Sequence, residues 1–156
     1  MNMSKKVLSH RLSEDEIEAL KAEDSPAYLA TIDKHGYPRI TPLWFLWKDG
    51  CFYMTSVESK SYLGHLTENP RASICIEIET VQSGIHRPNR QLKAIGEVSL
   101  YPDTAGEITR NISQKYLSGD GARAEIDRRC SVPRTVVELR PENIWGLGGG
   151  KSIDGK

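Results

Sequence analysis

Thr55, Ser56, Ser59 and Lys60 bring three hydroxyls and an ammonium group together where an apolar strand pattern gives way to a helical one. Backbone N–H groups left unpaired at a helix N-terminus, hydroxyl donors and a lysine charge together suit a phosphate monoester. Each charge–dipole contact of this kind is worth about 0.3–1 kcal/mol when exposed and up to ~2 kcal/mol when partly buried, so several would hold a dianion. The same residues also read as an ordinary serine N-cap followed by a solvated lysine, and on their own they do not choose between the two. His86, Arg87 and Arg90 add donors in a loop that either closes over the same place or is simply a solvated basic loop.

The other chemistry-bearing residues are dispersed. His10, His35 and His65 do not share a motif, which argues against a metal site, and no Ser-His-Asp or Cys-His ordering stands out. Cys51, Cys75 and Cys130 are odd in number and lack a C-x-x-C pair, so they read as reduced thiols in a cytoplasmic protein. Glu14, Asp15 and Glu16 serve a helix dipole better than acid–base work. Residues 146–152, GLGGGKS, imitate a phosphate loop but have three residues between the outer glycines where the motif needs four. Asn111-Ile112-Ser113 is formally a glycosylation acceptor, yet it falls in a helical pattern with no secretory signal ahead of it.

Composition narrows the function classes. With 21 basic and 21 acidic residues among 156, no global charge draws the chain to nucleic acid or to a membrane surface, and any bound anion must be held locally. No window approaches the ~18 apolar residues of a membrane span, so the reading is a soluble protein with no membrane partner.

The elements that must position these residues follow from periodicity. Ser13 and Glu16 form a capping box that opens a helix of about three turns, ending before Ser25-Pro26 and lidding one end of a barrel. Strands are expected over 27–32, 38–47, 51–55, 71–79, 91–101 and 135–140, with hairpin turns at Asp33-Lys34-His35-Gly36 and Lys48-Asp49-Gly50. In the second strand both faces are apolar, so one must meet a partner subunit or a flat cofactor. Pro42 marks that strand as an edge or as interrupted. A short helix covers 59–67, longer helical patterns run to about Tyr116 and about Arg129, and Gly96 marks a bulge or barrel corner. Pro141-Glu142-Asn143 reads as a turn. The domain division is a polar arm over 1–12, one domain over 13–145 and a flexible glycine-rich tail over 146–156. The fold class is mainly β with flanking helices, a six-stranded antiparallel barrel, with a sandwich as the rival.

The ordered series LATIDKHGYPRITPLWFLWKDGCFYMTS, Lys60, LTENPRASICIE and RQLKAIGEVSLY resembles the FMN-binding split-barrel superfamily of pyridoxamine 5'-phosphate oxidase-like proteins. That resemblance implies a split β-barrel and an FMN-dependent oxidoreductase, a homodimer with the flavin at its interface that passes hydride or electrons between a small-molecule donor and acceptor. It implies that Arg39, Ile40, Thr41 and Pro42 line the flavin, and that Thr55, Ser56, Ser59 and Lys60 surround its phosphate. Gln91 resembles a glutamine that approaches the cofactor, and Trp145 an aromatic that packs near the ring. The catalytic residues stay unassigned. The Arg-x-Trp core and distal arginine that grip the vitamin's phosphate are missing after Trp145, which argues against vitamin oxidation. The resemblance extends to a branch that uses the deazaflavin coenzyme F-420, the rival cofactor, and to flavin carriers or redox sensors without turnover.

Overall fold

The computed structural model describes residues 10–79 and 89–149. Its strands are β1 (His10–Arg11), β2 (Ala27–Ile32), β3 (Pro38–Leu43), β4 (Leu46–Lys48), β5 (Cys51–Val57), β6 (Arg71–Glu79), β7 (Asn89–Pro102) and β8 (Arg134–Gly148). The helices are α1 (Glu14–Ala22), α2 (Ser61–Glu68), α3 (Glu107–Tyr116) and α4 (Ala122–Cys130). Every pairing is antiparallel, in the order β3-β2-β6-β7-β8-β5-β4, with β1 added to β8. β3 and β4 thus lie at opposite ends of the path although only Trp44 and Phe45 separate them. The sheet must curl until its edges meet there, joined by covalent chain rather than by a ladder: a mainly β split barrel.

The eight strands correct the expected six in three places. The single second strand breaks at Trp44-Phe45 because the chain must cross the split. At the break, the Phe45 N–H donates to the Tyr116 hydroxyl (3.1 Å) and its carbonyl accepts from Lys115 Nζ (3.2 Å), so α3 side chains replace the missing ladder. Pro141-Glu142-Asn143 is not a turn but part of a continuous β8, whose register against β7 shifts by one residue at Ile95/Gly96. Gly96 permits this bulge because a Cβ there would fall onto the Arg140 carbonyl oxygen. Finally, β8 runs through Gly146–Gly148 into the expected tail, and His10–Arg11 of the expected arm pairs with it. Those glycines hold a strand because Leu12 and the His10 ring pack where their side chains would be. The arm's first nine residues and the chain after Gly149 lie outside the described residues.

The β-alternation of β6 puts Ala72, Ile74 and Ile76 in the core with Leu29, Phe45, Phe52, Met54, Leu92 and Leu139. The capping box forms as expected, with Ser13 N donating to Glu16 Oε2 (2.9 Å) and Glu16 N to Ser13 Oγ (3.3 Å), and α1 buries Leu20 against the barrel. Both hairpin turns form, using positive φ at Gly36 and at Asp49-Gly50.

Candidate functional site

The N-terminal turn of α2 and the end of β5 face Trp44 across an open cleft of about 220 Å³. Pro42, Leu43 and Trp44 form one wall, Thr55, Ser56 and Val57 the second, and Lys60 and Tyr62 the floor. The third wall is one the strand and helix patterns gave no reason to expect: Arg129 at the end of α4 and Arg134 at the start of β8, with Ile112 of α3 behind them. Among the described residues, three cations line the cleft and no carboxylate does. Its volume lies below the ~300–1,000 Å³ of a complete small-molecule site, so it suits the anionic end of a larger ligand.

The arginines are held in place. Tyr116 donates its hydroxyl to the Ser25 carbonyl (3.0 Å) while accepting from Phe45, and Trp44 stacks on its ring at 4.7 Å with 2° between planes. Arg129 in turn covers the Trp44 ring at 4.6 Å, and its Nε donates to Ser113 Oγ (3.1 Å). Arg134 Nε points to the Arg129 carbonyl at 3.4 Å. Burial, and then the like charge of Arg134, push the Arg129 guanidinium below its ordinary value.

The expected hydroxyls are differently employed. Thr109 lies 2.6 Å from Asp103 Oδ2 and 3.0 Å from Thr55 Oγ1; its one proton goes to the carboxylate, so Thr55 donates to Thr109. Ser56 accepts from Tyr62 and donates to the Val57 carbonyl (3.0 Å). Burial raises the Tyr62 hydroxyl's pKa, with the Ser56 hydrogen bond and Arg134 opposing the shift. Thr55 and Ser56 therefore shape the cleft with their protons already committed. Ser59 is exposed and outside the lining, and the N-cap is Lys60, with no side-chain hydrogen bond capping the helix. The ordinary serine cap is not formed.

The other expected residues sit elsewhere. Ile40, Pro42, Gln91 and Trp145 share the outer face of the sheet, whereas Arg39 and Thr41 lie on the opposite face of β3. Arg39 is exposed and reaches Asp33 at 3.4 Å. Registers align Pro42, Tyr28, Cys75, Lys93 and Trp145 in one row, and Ile40, Ala30, Ser73, Ile95 and Asn143 in the next. Tyr28, Ile40, Ile95 and Leu147 are exposed on this face, Ile40 at 69%. A shallow cavity of about 570 Å³ between Ala30, Ile32, Ile95 and the rim residues Arg71 and Glu142 continues it. Pro42 is the residue common to the cleft and to this face. Arg90 pairs with Glu16 at 3.7 Å and is not in the cleft; His86 and Arg87 lie outside the described residues. Among the described residues no group of three or more His, Cys, Asp and Glu stands close enough to hold a metal ion, and no helix is long and apolar enough to cross a membrane.

Residues 13–148 match the family model described as pyridoxamine 5'-phosphate oxidase. The chain belongs to this family. Solved structures share the fold at low identity. A heme storage protein from Vibrio cholerae is 18% identical, with 91% of this chain and 98% of that one covered and a TM-score of 0.66. An FAD-binding protein from Mesorhizobium loti is 18% identical, covering 93% and 99% at 0.64. An F-420 reductase is 20% identical, covering 81% and 94% at 0.61. No curated protein matches significantly.

Proposed function

We propose that the protein is a homodimeric flavin-dependent oxidoreductase that holds FMN by its phosphate in the cleft and lays the ring along the outer face from Pro42. The observation that carries this reading is the acid-free, three-cation cleft that meets an exposed apolar sheet face at one residue. The donor set fits the group: cations without carboxylates match a phosphate, and Tyr28, Ile40 and Trp145 match a flat ring or a second subunit. When bound, a flavin supplies hydride or single-electron transfer itself, so the protein's part is to anchor, orient and exclude water. Lys60, Arg129 and Arg134 would hold the anion; Pro42, and Gln91 and Trp145 of either subunit, would border the ring. The absence of an acid–base pair in the cleft agrees with that division of labour. Membership in this family, with FAD- and F-420-using proteins among its structural neighbours, supports flavin-type chemistry on this fold.

Titration of the purified protein with FMN and with the deazaflavin coenzyme F-420, followed by absorption and fluorescence, tests the reading. FMN binding by a dimer, with Lys60→Ala weakening it by about 1–3 kcal/mol, is the expected result. Unchanged affinity in Lys60→Ala, Arg129→Ala and Arg134→Ala alike sinks the phosphate assignment, and binding of F-420 alone transfers the reading to hydride-only chemistry. Turnover of NAD(P)H with a quinone, dye or nitro acceptor separates an enzyme from a flavin carrier, which is reduced only once.

A further inference from the structure

We infer that Arg129 and Arg134, at the junction of α4 and β8, are the principal grip of the cleft on a terminal phosphate monoester, so that the α3–α4 hairpin clasps the ligand. This rests on the proposed function for the identity of the ligand, but not for the anion site itself. Donor accounting is the first argument. The hydroxyl protons of Thr55 and Ser56 are spent on Thr109 and Val57, which leaves the cations as the charged side-chain donors into the cleft, beside the neutral indole N–H of Trp44. Among the described residues, none pins the exposed Lys60 by a side-chain contact, whereas each arginine has its Nε directed at a protein acceptor and its two Nη groups without a hydrogen-bond partner. Two terminal guanidinium nitrogens presented in a fixed plane match the oxygens of a phosphate.

Charge accounting is the second. The acids of α4 are used by other arginines: Glu125 pairs with Arg128 at 2.6 Å and Asp127 with Arg110 at 3.0 Å. Two adjacent guanidiniums then face a cleft with no carboxylate, an arrangement that repels itself until an anion enters. A monoester, carrying about −1.5 to −2 at pH 7, balances the pair better than a diester carrying a single charge. The third argument is rigidity. Arg129 lies on Trp44, Trp44 on Tyr116, and Tyr116 is fastened to Ser25 and Phe45, so the guanidinium is oriented before any ligand arrives.

The test compares affinities for FMN and riboflavin, which differ by the phosphate, in the full-length wild type, Arg129→Ala, Arg134→Ala, Arg129→Lys and Lys60→Ala. Each arginine-to-alanine variant is expected to lower the FMN-to-riboflavin affinity ratio more than tenfold and more than Lys60→Ala does. Arg129→Lys, which keeps the charge and loses the fork, should lower it to an intermediate degree. Riboflavin affinity should stay at the wild-type level, which also shows that each variant is folded. Retention of the wild-type ratio in both arginine variants, with loss in Lys60→Ala, overturns the inference and leaves the proposed function standing. If the wild type binds neither flavin, the proposed function fails, and inorganic phosphate decides the inference alone. Phosphate should then slow amide exchange across residues 122–134 in the wild type and not in Arg129→Ala; no protection in the wild type overturns it.

Discussion

The crossing of the split should depend on a single hydroxyl. Tyr116→Phe keeps the ring that supports Trp44 and removes the oxygen that accepts from Phe45 N–H (3.1 Å) and donates to the Ser25 carbonyl (3.0 Å). Phe45 is fully buried at the break between β3 and β4, so its N–H has no water to turn to. Leaving a buried donor unsatisfied costs about 1–3 kcal/mol, and loss of the Ser25 bond, whose carbonyl lies nearer the surface, adds about 0.5 kcal/mol. A destabilisation near 2 kcal/mol follows, which for a chain of this size lowers Tm by about 4–8 °C. Urea unfolding of wild type and variant should show a shifted midpoint at constant slope, since no surface is added or lost. Because the stack under Arg129 survives, FMN affinity should hardly change, whereas Tyr116→Ala should lose both stability and affinity. A Tyr116→Phe cost below about 0.5 kcal/mol refutes the idea that α3 side chains substitute for the missing ladder.

Gly96→Ala drives a methyl onto the Arg140 carbonyl at the β7–β8 bulge, where backbone faces backbone, and should destabilise by about 3 kcal/mol, the upper end of the usual overpacking range, in urea unfolding. A loss under 1 kcal/mol would show that the strands are not so closely opposed. The pH dependence has two limbs. Burial against the Phe45 ring pushes the Lys115 ammonium down from 10.5 to about 8, with Asp24 and Glu23 opposing. Between those values the unfolded chain binds the extra proton, so this group's contribution to stability rises with pH. Burial likewise pushes Tyr116 up from 10.0 to about 12; there the folded chain keeps a proton that the unfolded one loses, and stability falls. Unfolding free energy measured from pH 7 to 11 should contain a rise above pH 8 that Lys115→Met abolishes and a fall above pH 10. A rise that survives in Lys115→Met assigns it to another group.

Local signals in the sequence carried most of the fold, and the errors at 38–47 and 146–148 share one cause. The capping box at Ser13, the glycine turns and the alternation of 71–79 depend on neighbours within a few residues, and each appears where expected. The run 38–47 is apolar on both faces, and Pro42 marks it as an edge or as interrupted; β3 is the edge of the path, and the strand breaks at Trp44-Phe45, where Phe45 is served by Tyr116 and Lys115 some seventy positions away. Residues 146–148 looked incapable of holding a shape because glycine supplies no side-chain packing. What holds them is contributed by Leu12 and His10 from the other end of the chain. Contacts of long sequence separation overrode a sound local preference in both places.

The cleft separates two kinds of legibility in the same way. Residue type and spacing led to Lys60, and the helix start beside it is where they put it. Type alone could not say that Thr55 and Ser56 had given their protons away, because the acceptors that take them are Thr109, itself committed to Asp103, and a neighbouring carbonyl. Nor could spacing bring Arg129 and Arg134 to Lys60 across about seventy residues. One signal was available: the stretch 122–134 carries Arg123, Arg128, Arg129 and Arg134 against only Glu125 and Asp127 as acids. An excess of basic residues at a helix C-terminus is ordinarily assigned to the dipole. Here the acids pair with Arg128 and Arg110, so the surplus charge is left facing Lys60. An anion is drawn by charge that the fold leaves uncompensated, more than by residues able to donate, and that surplus becomes visible only once every ion pair has been assigned.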